Sequence, residues 1–134
     1  MSLYVDSTAL LKRYVDEPDS DACEAILRSD PQLVTGRHAI VEVRRNLARL
    51  LARTDLAAAK ATFEGDLVSI SLVELDATTC DTAAAIAELT GARTLDALHL
   101  AAARRVGGTE LPFVTYDLRQ AQVARSLGFT VLGA

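Results

Sequence analysis

Short apolar runs alternate along the chain with longer segments of helical periodicity. The run Leu3-Tyr4-Val5 is typical of a buried strand, whereas apolar residues between Ala39 and Arg53 recur every three or four positions, as in an amphipathic helix. The pattern predicts strands at Ser2–Val5, Leu33–Thr35, Val68–Val73, Phe113–Thr115 and Phe129–Val131. It predicts helices at Leu10–Val15, Asp19–Arg28 (stopped by Ser29-Asp30-Pro31), Ala39–Arg53, Leu56–Leu67, Ala77–Leu89, Leu95–Val106 and Leu118–Leu127.

This alternation predicts an α/β fold, namely a three-layer α/β/α sandwich with a mainly parallel sheet. No repeat, low-complexity tract or flexible linker interrupts the pattern, so we expect one domain spanning residues 1–134. In open parallel sheets, ligands bind beyond the carboxyl ends of the strands. Side chains that directly follow a predicted strand are therefore the first candidates for a functional site.

Composition excludes several classes of protein. With 50% hydrophobic and 24% charged residues, the 134-residue chain has the material for a packed core. The longest uncharged stretch, Ser126–Ala134, falls far short of the roughly 20 residues of a membrane helix, and no secretory leader is recognisable, so we expect a cytoplasmic protein without membrane contact. Cys23 and Cys80 are too few for a disulfide framework or a zinc knuckle. A net charge of −4 argues against a general nucleic-acid coat, although twelve of the fourteen basic residues are arginines.

Four acidic residues stand out by their positions. Asp6 and Asp117 follow predicted strands, while Glu42 and Asp96 lie near the starts of two predicted helices. Each alone has an ordinary explanation as a solvated or helix-capping residue, and Thr94 is an alternative cap for the helix of Asp96. Brought together, the four carboxylates would repel one another unless cations neutralised them. Oxygen ligands favour Mg²⁺ or Mn²⁺, which ionise a bound water and polarise a phosphoryl oxygen.

These positions carry a family resemblance. Asp6-Ser7, Glu42, the segment Arg-Thr-Leu-Asp-Ala-Leu-His-Leu-Ala at 93–101 and Thr115-Tyr116-Asp117 resemble the PIN-domain nucleases, and more narrowly the toxins of VapBC-type toxin–antitoxin pairs. The resemblance implies a PIN-like fold and an Mg²⁺- or Mn²⁺-dependent endoribonuclease that hydrolyses RNA phosphodiesters with a metal-activated water. It also implies a homodimer and a cognate VapB-type antitoxin that inserts a chain segment into the site.

The resemblance further implies roles for individual residues. The catalytic and metal-binding carboxylates would be those of Asp6, Glu42, Asp96 and Asp117, with the hydroxyls of Ser7 and Thr115 beside them. Two departures from the family pattern stand out. Many relatives carry a serine ahead of the helix of the second acid, where this chain has Thr35-Gly36-Arg37-His38, and some carry a further acid where Arg119 and Gln120 stand. The missing fifth acid favours one metal ion and leaves a second one open.

Further residues have two interpretations each. His99 lies three residues after Asp96 and is expected either as a core or interface residue, which we favour, or as a group that contacts an RNA phosphate or orients a carboxylate. Asn46, one turn after Glu42, either joins the acidic cluster or packs on the helix surface. The remaining candidates either contact RNA or serve as solvated and packing residues: Arg44, Arg45, Arg49, Arg53, Tyr14 and Tyr116.

One alternative to the enzyme remains, namely a non-catalytic protein of the same fold that binds an antitoxin or RNA without cleaving it. A receiver domain is excluded because the only lysines, Lys12 and Lys60, lie too early in the chain. A dehalogenase-type phosphatase would need a second acid two residues after Asp6, where Thr8 stands. A flap nuclease of this fold would need DNA-clamping elements for which 134 residues leave no room.

Overall fold

The computed structural model describes residues 2–30 and 32–134. Five strands in these ranges form one sheet in the spatial order β3-β2-β1-β4-β5. They are β1 (Leu3–Val5), β2 (Leu33–Gly36), β3 (Ile70–Val73), β4 (Phe113–Thr115) and β5 (Val131–Gly133). Every pairing between neighbouring strands is parallel, which confirms the predicted sheet. The central strand β1 pairs with β2 on one side and β4 on the other.

Seven α-helices connect these strands within the described ranges. They are α1 (Ser7–Leu11), α2 (Ser20–Arg28), α3 (Ala39–Leu50), α4 (Arg53–Asp66), α5 (Ala77–Thr90), α6 (Thr94–Gly107) and α7 (Leu118–Ser126), and a 3₁₀ turn at Gly108–Glu110 precedes β4. Pro31, expected in the stop signal after α2, lies outside the described residues. None of the described helices is long and apolar enough to cross a membrane.

Several predicted boundaries differ from the structure by two or more residues, and two of these differences have identifiable reasons. The apolar pattern predicts the first helix at Leu10–Val15, but it begins at Ser7, because the Asp6 side chain accepts a hydrogen bond from the Ala9 amide and caps it there. The pattern also places Phe129 in the last strand. Instead the Phe129 amide bonds to the Ala124 carbonyl at 3.0 Å and closes the preceding helix, and its ring is buried in the core.

Alternate side chains of the strands enter two cores, one on each face of the sheet. Leu3 and Val5 of β1 pack with apolar side chains of α1 to α4, whereas Tyr4 packs with those of α5 to α7. Tyr4 also stacks on Phe113 of β4 with ring centroids 5.2 Å apart. Phe63 of α4 is fully buried on the first face, and replacing such a side chain by alanine costs about 3–5 kcal/mol. Helices on both faces confirm the three-layer sandwich.

Parallel pairing brings the ends of β1 and β4 to the same edge of the sheet. Val5 lies opposite Val114, and the Asp6 amide donates to the Val114 carbonyl at 3.1 Å. Asp6 and Asp117, which follow these two strands, therefore emerge side by side. On the neighbouring helices, Gly91 ends α5 with a φ of 74°, a left-handed conformation that glycine adopts without steric cost. A short loop connects Gly91 to α6, and the first turn of α6 places Asp96 at the same edge of the sheet.

Candidate active site

Asp6 is a buried carboxylate held by hydrogen bonds alone. It is 2% exposed. Its Oδ1 accepts from the Ala9 amide at 3.1 Å and the Thr8 hydroxyl at 2.6 Å, and its Oδ2 accepts from the Thr115 hydroxyl at 2.5 Å. Burial raises the pKa of Asp6, against the charge of His99 and these hydrogen bonds, which lower it. Within the described ranges no lysine or arginine pairs with Asp6, so its charge lacks a cationic partner.

Asp96 and Asp117 share one arginine. Asp96 lies in the first turn of α6, and Asp117 caps α7 by accepting from the Gln120 amide at 2.9 Å. The Arg93 guanidinium bridges them, with Nε 3.2 Å from Oδ2 of Asp96 and Nη2 3.3 Å from Oδ2 of Asp117. Burial raises the pKa of Asp96, Arg93 opposes that rise, and the negative charge of Asp117 adds to it. These two carboxylates are therefore close enough to need a cation between them.

Glu42 is fixed by a chain of hydrogen bonds that starts inside the sheet. The Gly36 amide donates to the Tyr4 hydroxyl oxygen at 3.0 Å, the Tyr4 hydroxyl lies 2.8 Å from His99 Nδ1, and His99 Nε2 lies 2.7 Å from Oε1 of Glu42. Burial raises the pKa of Tyr4, so its hydroxyl keeps a proton to donate to Nδ1. His99 Nε2 then donates to Glu42. Burial alone would raise the pKa of Glu42, but the hydrogen bond from His99 and the electrostatic attraction of that ring outweigh burial and lower the pKa.

His38 completes the surroundings of Glu42. Its Nε2 lies 3.7 Å from Oε1 of Glu42 and 3.3 Å from the Leu95 carbonyl oxygen. Burial, reinforced by the charge of His99, lowers the pKa of His38 to about 4, so it is neutral at pH 7. His38, Glu42 and His99 offer ligand atoms that all lie within 4.8 Å of one another, a spacing compatible with a metal ion. In the part of the chain that the structure describes, this is the one group of three that meets that spacing.

The four acids proposed from the sequence therefore fall into two neighbouring groups. Asp6, Asp96 and Asp117 lie at the carboxyl edge formed by β1 and β4, whereas Glu42 is engaged by histidines. Thr115 donates to Asp6. Ser7 is buried, and its hydroxyl lowers the pKa of Glu42 rather than that of Asp6.

Other candidates have roles that the sequence left open. Asn46 donates to the backbone carbonyl of Glu42 at 2.9 Å and makes no hydrogen bond to its carboxylate. His99 is both a buried core residue and a partner of a carboxylate. Tyr14 packs edge-on against Phe63, with ring centroids 5.3 Å apart. The ring of Tyr116 has the Lys12 ammonium over it, 4.9 Å from its centroid.

Sequence reasoning missed three residues of the site: Thr8, Arg93 and His38. Thr8 had a local signal, because a hydroxyl two residues after a helix-capping aspartate can reach that carboxylate. Arg93 also had one, since it precedes Asp96 by three residues, a spacing that brings side chains together at a helix start. The contact of Arg93 with Asp117 joins residues 24 positions apart and depends on the tertiary fold.

The three edge carboxylates have the donor chemistry of a site for a hard divalent cation, although the described group of three that meets the 4.8 Å spacing is His38, Glu42 and His99. Their ligating atoms are all oxygens, the donor type that Mg²⁺ and Mn²⁺ prefer. Arg93 already places a positive charge between Asp96 and Asp117, and the buried charge of Asp6 has no cationic partner. The arrangement is therefore electrostatically incomplete without a cation, and it can support hydrolysis of a phosphate ester.

Both the sequence and the structure of the chain resemble those of known proteins from one family. Residues 3–126 match the family model of the PIN domain. Over 131 residues the chain is 34% identical to Ribonuclease VapC46 of Mycobacterium tuberculosis, covering 98% of this chain and 96% of that relative. The crystal structure of Mycobacterium tuberculosis VapC20, a sarcin-ricin loop cleaving toxin, superposes with a TM-score of 0.71 at 16% identity over 98% of both chains. VapBC-5 from the same species, a member of the VapBC family of toxin–antitoxin systems, gives a TM-score of 0.65 at 17% identity, covering 99% of this chain and 98% of that one.

Proposed function

The chain belongs to the PIN domain family, and from this premise we propose that it is a metal-dependent endoribonuclease, the toxin of a VapBC-type toxin–antitoxin pair. One observation carries the proposal above all. Asp6, Asp96 and Asp117 converge at the carboxyl edge of a parallel sheet, and the only cation that bridges two of them in the described ranges is Arg93. Asp6 and Asp117 cap helices and Asp96 pairs with Arg93, but none of these roles requires three carboxylates at one edge, where their charges repel one another.

Asp6, Asp96 and Asp117 would hold Mg²⁺ or Mn²⁺, with Glu42 reaching the ion directly or through a water. When bound, the ion supplies an ionised water as nucleophile and neutralises charge on the phosphoryl oxygens. Mg²⁺ and Mn²⁺ suit the edge because its three carboxylates supply oxygen ligands only. A second ion would have to share Glu42 with His38 and His99, so we infer one firmly held ion.

Neighbouring residues of the chain hold the carboxylates of this site in fixed orientations. The Thr8 hydroxyl donates to one oxygen of Asp6 and the Thr115 hydroxyl donates to the other, which restricts rotation of the carboxylate. His99 fixes Oε1 of Glu42 and lowers the pKa of that carboxyl, which keeps Glu42 ionised near neutral pH. An ionised carboxylate held in this way can accept a proton from a nearby water.

We infer that the substrate is RNA. Its phosphodiester would approach the exposed edge, where Arg93 is 60% exposed and available to a phosphate. Arg44, Arg45, Arg49 and Arg53 are all exposed along α3 and the start of α4, and they extend positive charge beside the helix that carries Glu42. RNA is found in the cytoplasm, which we infer to be the place of action.

An apolar groove between α3 and α4 supports an antitoxin as partner. It encloses about 420 Å³. Its floor and walls are the apolar side chains of Ile40, Val41, Leu47, Ala48 and Leu56, and its rim carries the cations Arg44, Arg45 and Lys60. Among the described residues, none of these three cations has an ion-pair partner in the chain. The groove therefore fits an antitoxin segment with apolar and acidic faces. Val41→Asp should weaken capture of a co-expressed VapB-type antitoxin at least tenfold, while Val68→Asp, at a still more exposed valine outside the groove, should not.

A homodimer is the further partner we infer. Leu118, at the start of α7, is 72% exposed beside the acidic edge, and Leu95 at the start of α6 is 47% exposed. Apolar side chains on a surface next to a site are commonly covered by a second chain. Light scattering after gel filtration should give twice the chain mass for the protein, and the chain mass for Leu118→Asp.

The activity is tested with matched oligonucleotides. A pool of fluorescently labelled single-stranded RNAs and the corresponding DNAs is incubated with the purified protein in Mg²⁺, in Mn²⁺ and in EDTA. We expect cleavage of RNA alone, in either metal and not in EDTA. Asp96→Asn should lose cleavage at least a hundredfold. If the folded protein binds RNA without cleaving it in any condition, the non-catalytic alternative replaces this proposal.

A further inference from the structure

Arg93 occupies an unusual position among the carboxylates of the site. It precedes α6, with backbone φ −68° and ψ 158°, and its side chain reaches across two residues proposed as metal ligands. Nε lies 3.2 Å from Asp96 and Nη2 lies 3.3 Å from Asp117. One guanidinium therefore occupies the space between two carboxylates that a divalent cation would need.

The two cations cannot occupy that space together. Like charges at contact distance repel strongly in a partly buried site, so binding of a divalent ion to Asp96 and Asp117 requires Arg93 to leave them. Arg93 is free to do so, because it is 60% exposed while Asp96 and Asp117 are 19% and 26% exposed. Its contacts with both acids are single, partly solvated ion pairs of the kind that exchange readily.

A displaced guanidinium stays at the same edge of the sheet, since its backbone is anchored at the start of α6. Its planar set of N–H donors matches two oxygens of a phosphate group, a bidentate geometry that the ammonium group of a lysine does not offer. The side chain of Arg93 could therefore reach a phosphodiester bound over the acidic edge.

We propose that Arg93 alternates between two partners: it neutralises Asp96 and Asp117 when no divalent cation is bound, and it binds the substrate phosphate when the cation is present. The first half concerns this chain and its cation alone, whereas the second half rests on the proposed ribonuclease function. Arg93 is on this account both a built-in competitor of the metal and a substrate-binding residue.

The first half is tested by metal binding. Mn²⁺ affinity is measured by calorimetry for the wild type, Arg93→Ala and Arg119→Ala, which removes another exposed arginine near the edge without disturbing an ion pair of the described residues. Removing two partly exposed ion pairs should tighten Mn²⁺ binding by about 3- to 30-fold in Arg93→Ala. Arg119→Ala should bind as the wild type does. Equal or weaker Mn²⁺ binding by Arg93→Ala would overturn the competition.

The second half is tested by RNA binding in Mn²⁺, in a Glu42→Gln background that keeps Arg93 and both of its partners but lacks the ionised Glu42. Fluorescence anisotropy with a single-stranded RNA should show about fivefold to tenfold weaker binding for Arg93→Ala and partial recovery for Arg93→Lys. Unchanged RNA affinity in Arg93→Ala would reject the phosphate contact. These readouts do not require turnover, so a wild type that fails to cleave RNA rejects the proposed function separately.

Discussion

The Tyr4 hydroxyl links the core of the protein to Glu42, and Tyr4→Phe removes that hydroxyl alone. The ring stays stacked on Phe113, so the apolar packing of the core is kept. The Gly36 amide loses its acceptor, and Nδ1 of His99 loses its hydrogen-bond partner. Both groups are inaccessible to water because Tyr4 and His99 are 0% and 1% exposed.

The expected cost follows from these two lost partners. A buried polar group left without a hydrogen bond costs about 1–3 kcal/mol, so the loss of two partners in Tyr4→Phe should lower the free energy of unfolding by about 2–6 kcal/mol. Tyr14→Phe is the matched control. The Tyr14 hydroxyl donates to Asp66 at 2.6 Å in a partly exposed setting, where water replaces the lost bond, and its removal should cost only about 0.5–1.5 kcal/mol.

Urea denaturation followed by far-UV circular dichroism gives both values. The same proteins are assayed for RNA cleavage, because a His99 without its Tyr4 partner no longer holds Glu42 in one orientation. Tyr4→Phe should lose at least tenfold in kcat, whereas Tyr14→Phe should retain wild-type kcat. Equal destabilisation of the two variants, or a loss below about 1 kcal/mol for Tyr4→Phe, would refute the hydrogen-bond chain as drawn.

Three other predictions concern the edge carboxylates. Burial raises the pKa of Asp96 in the folded protein above its value in the unfolded chain, so the ionised form of Asp96 opposes folding. Metal-free Asp96→Asn should therefore be more stable than the wild type at pH 7, and this advantage should shrink as the pH falls through that raised pKa; an advantage that grows with acid would contradict the assignment. Asp117→Ala and Asp76→Ala each remove a helix cap and should each lower the free energy of unfolding by about 1 kcal/mol in urea melts. Only Asp117→Ala should abolish cleavage. Loss of cleavage in both variants would mean that Asp117 acts only as a helix cap. Mn²⁺ should raise the melting temperature of the wild type, and EDTA should reverse that rise. The rise should be much smaller in Asp96→Asn. An equal rise in Asp96→Asn would show that the metal ion binds at a different site.

The sequence predicted the sheet well because apolar strands and amphipathic helices have different periodicities. The sequence pattern predicted the wrong start for α1, because the helix cap formed by Asp6 determines that start and the apolar residues begin further along the chain. The predicted edge position of Asp6 and Asp117 needed only the rule for parallel strands. Both residues lie just beyond the end of a strand, and the observed pairing of β1 with β4 brings those strand ends together.

The surroundings of Glu42 lay beyond sequence reasoning. His99 and Glu42 are 57 positions apart, on helices that cover opposite faces of the sheet, and they meet only because the fold brings the first turns of α3 and α6 together. The pairing of Arg93 with Asp117 depends in the same way on the relative placement of α6 and α7. Local sequence spacing therefore identifies candidate functional residues, whereas tertiary packing determines which of them form hydrogen bonds or ion pairs with one another.

Cleavage of total cellular RNA by the purified, antitoxin-free protein tests the central claim most directly. The reaction is run in Mg²⁺, in Mn²⁺ and in EDTA, with Asp96→Asn as the site variant and Asp76→Ala as the folded control. We expect discrete fragments from the wild type and Asp76→Ala in either metal, and none in EDTA or from Asp96→Asn. Cleavage that persists in EDTA or in Asp96→Asn would contradict a metal site built on the edge carboxylates.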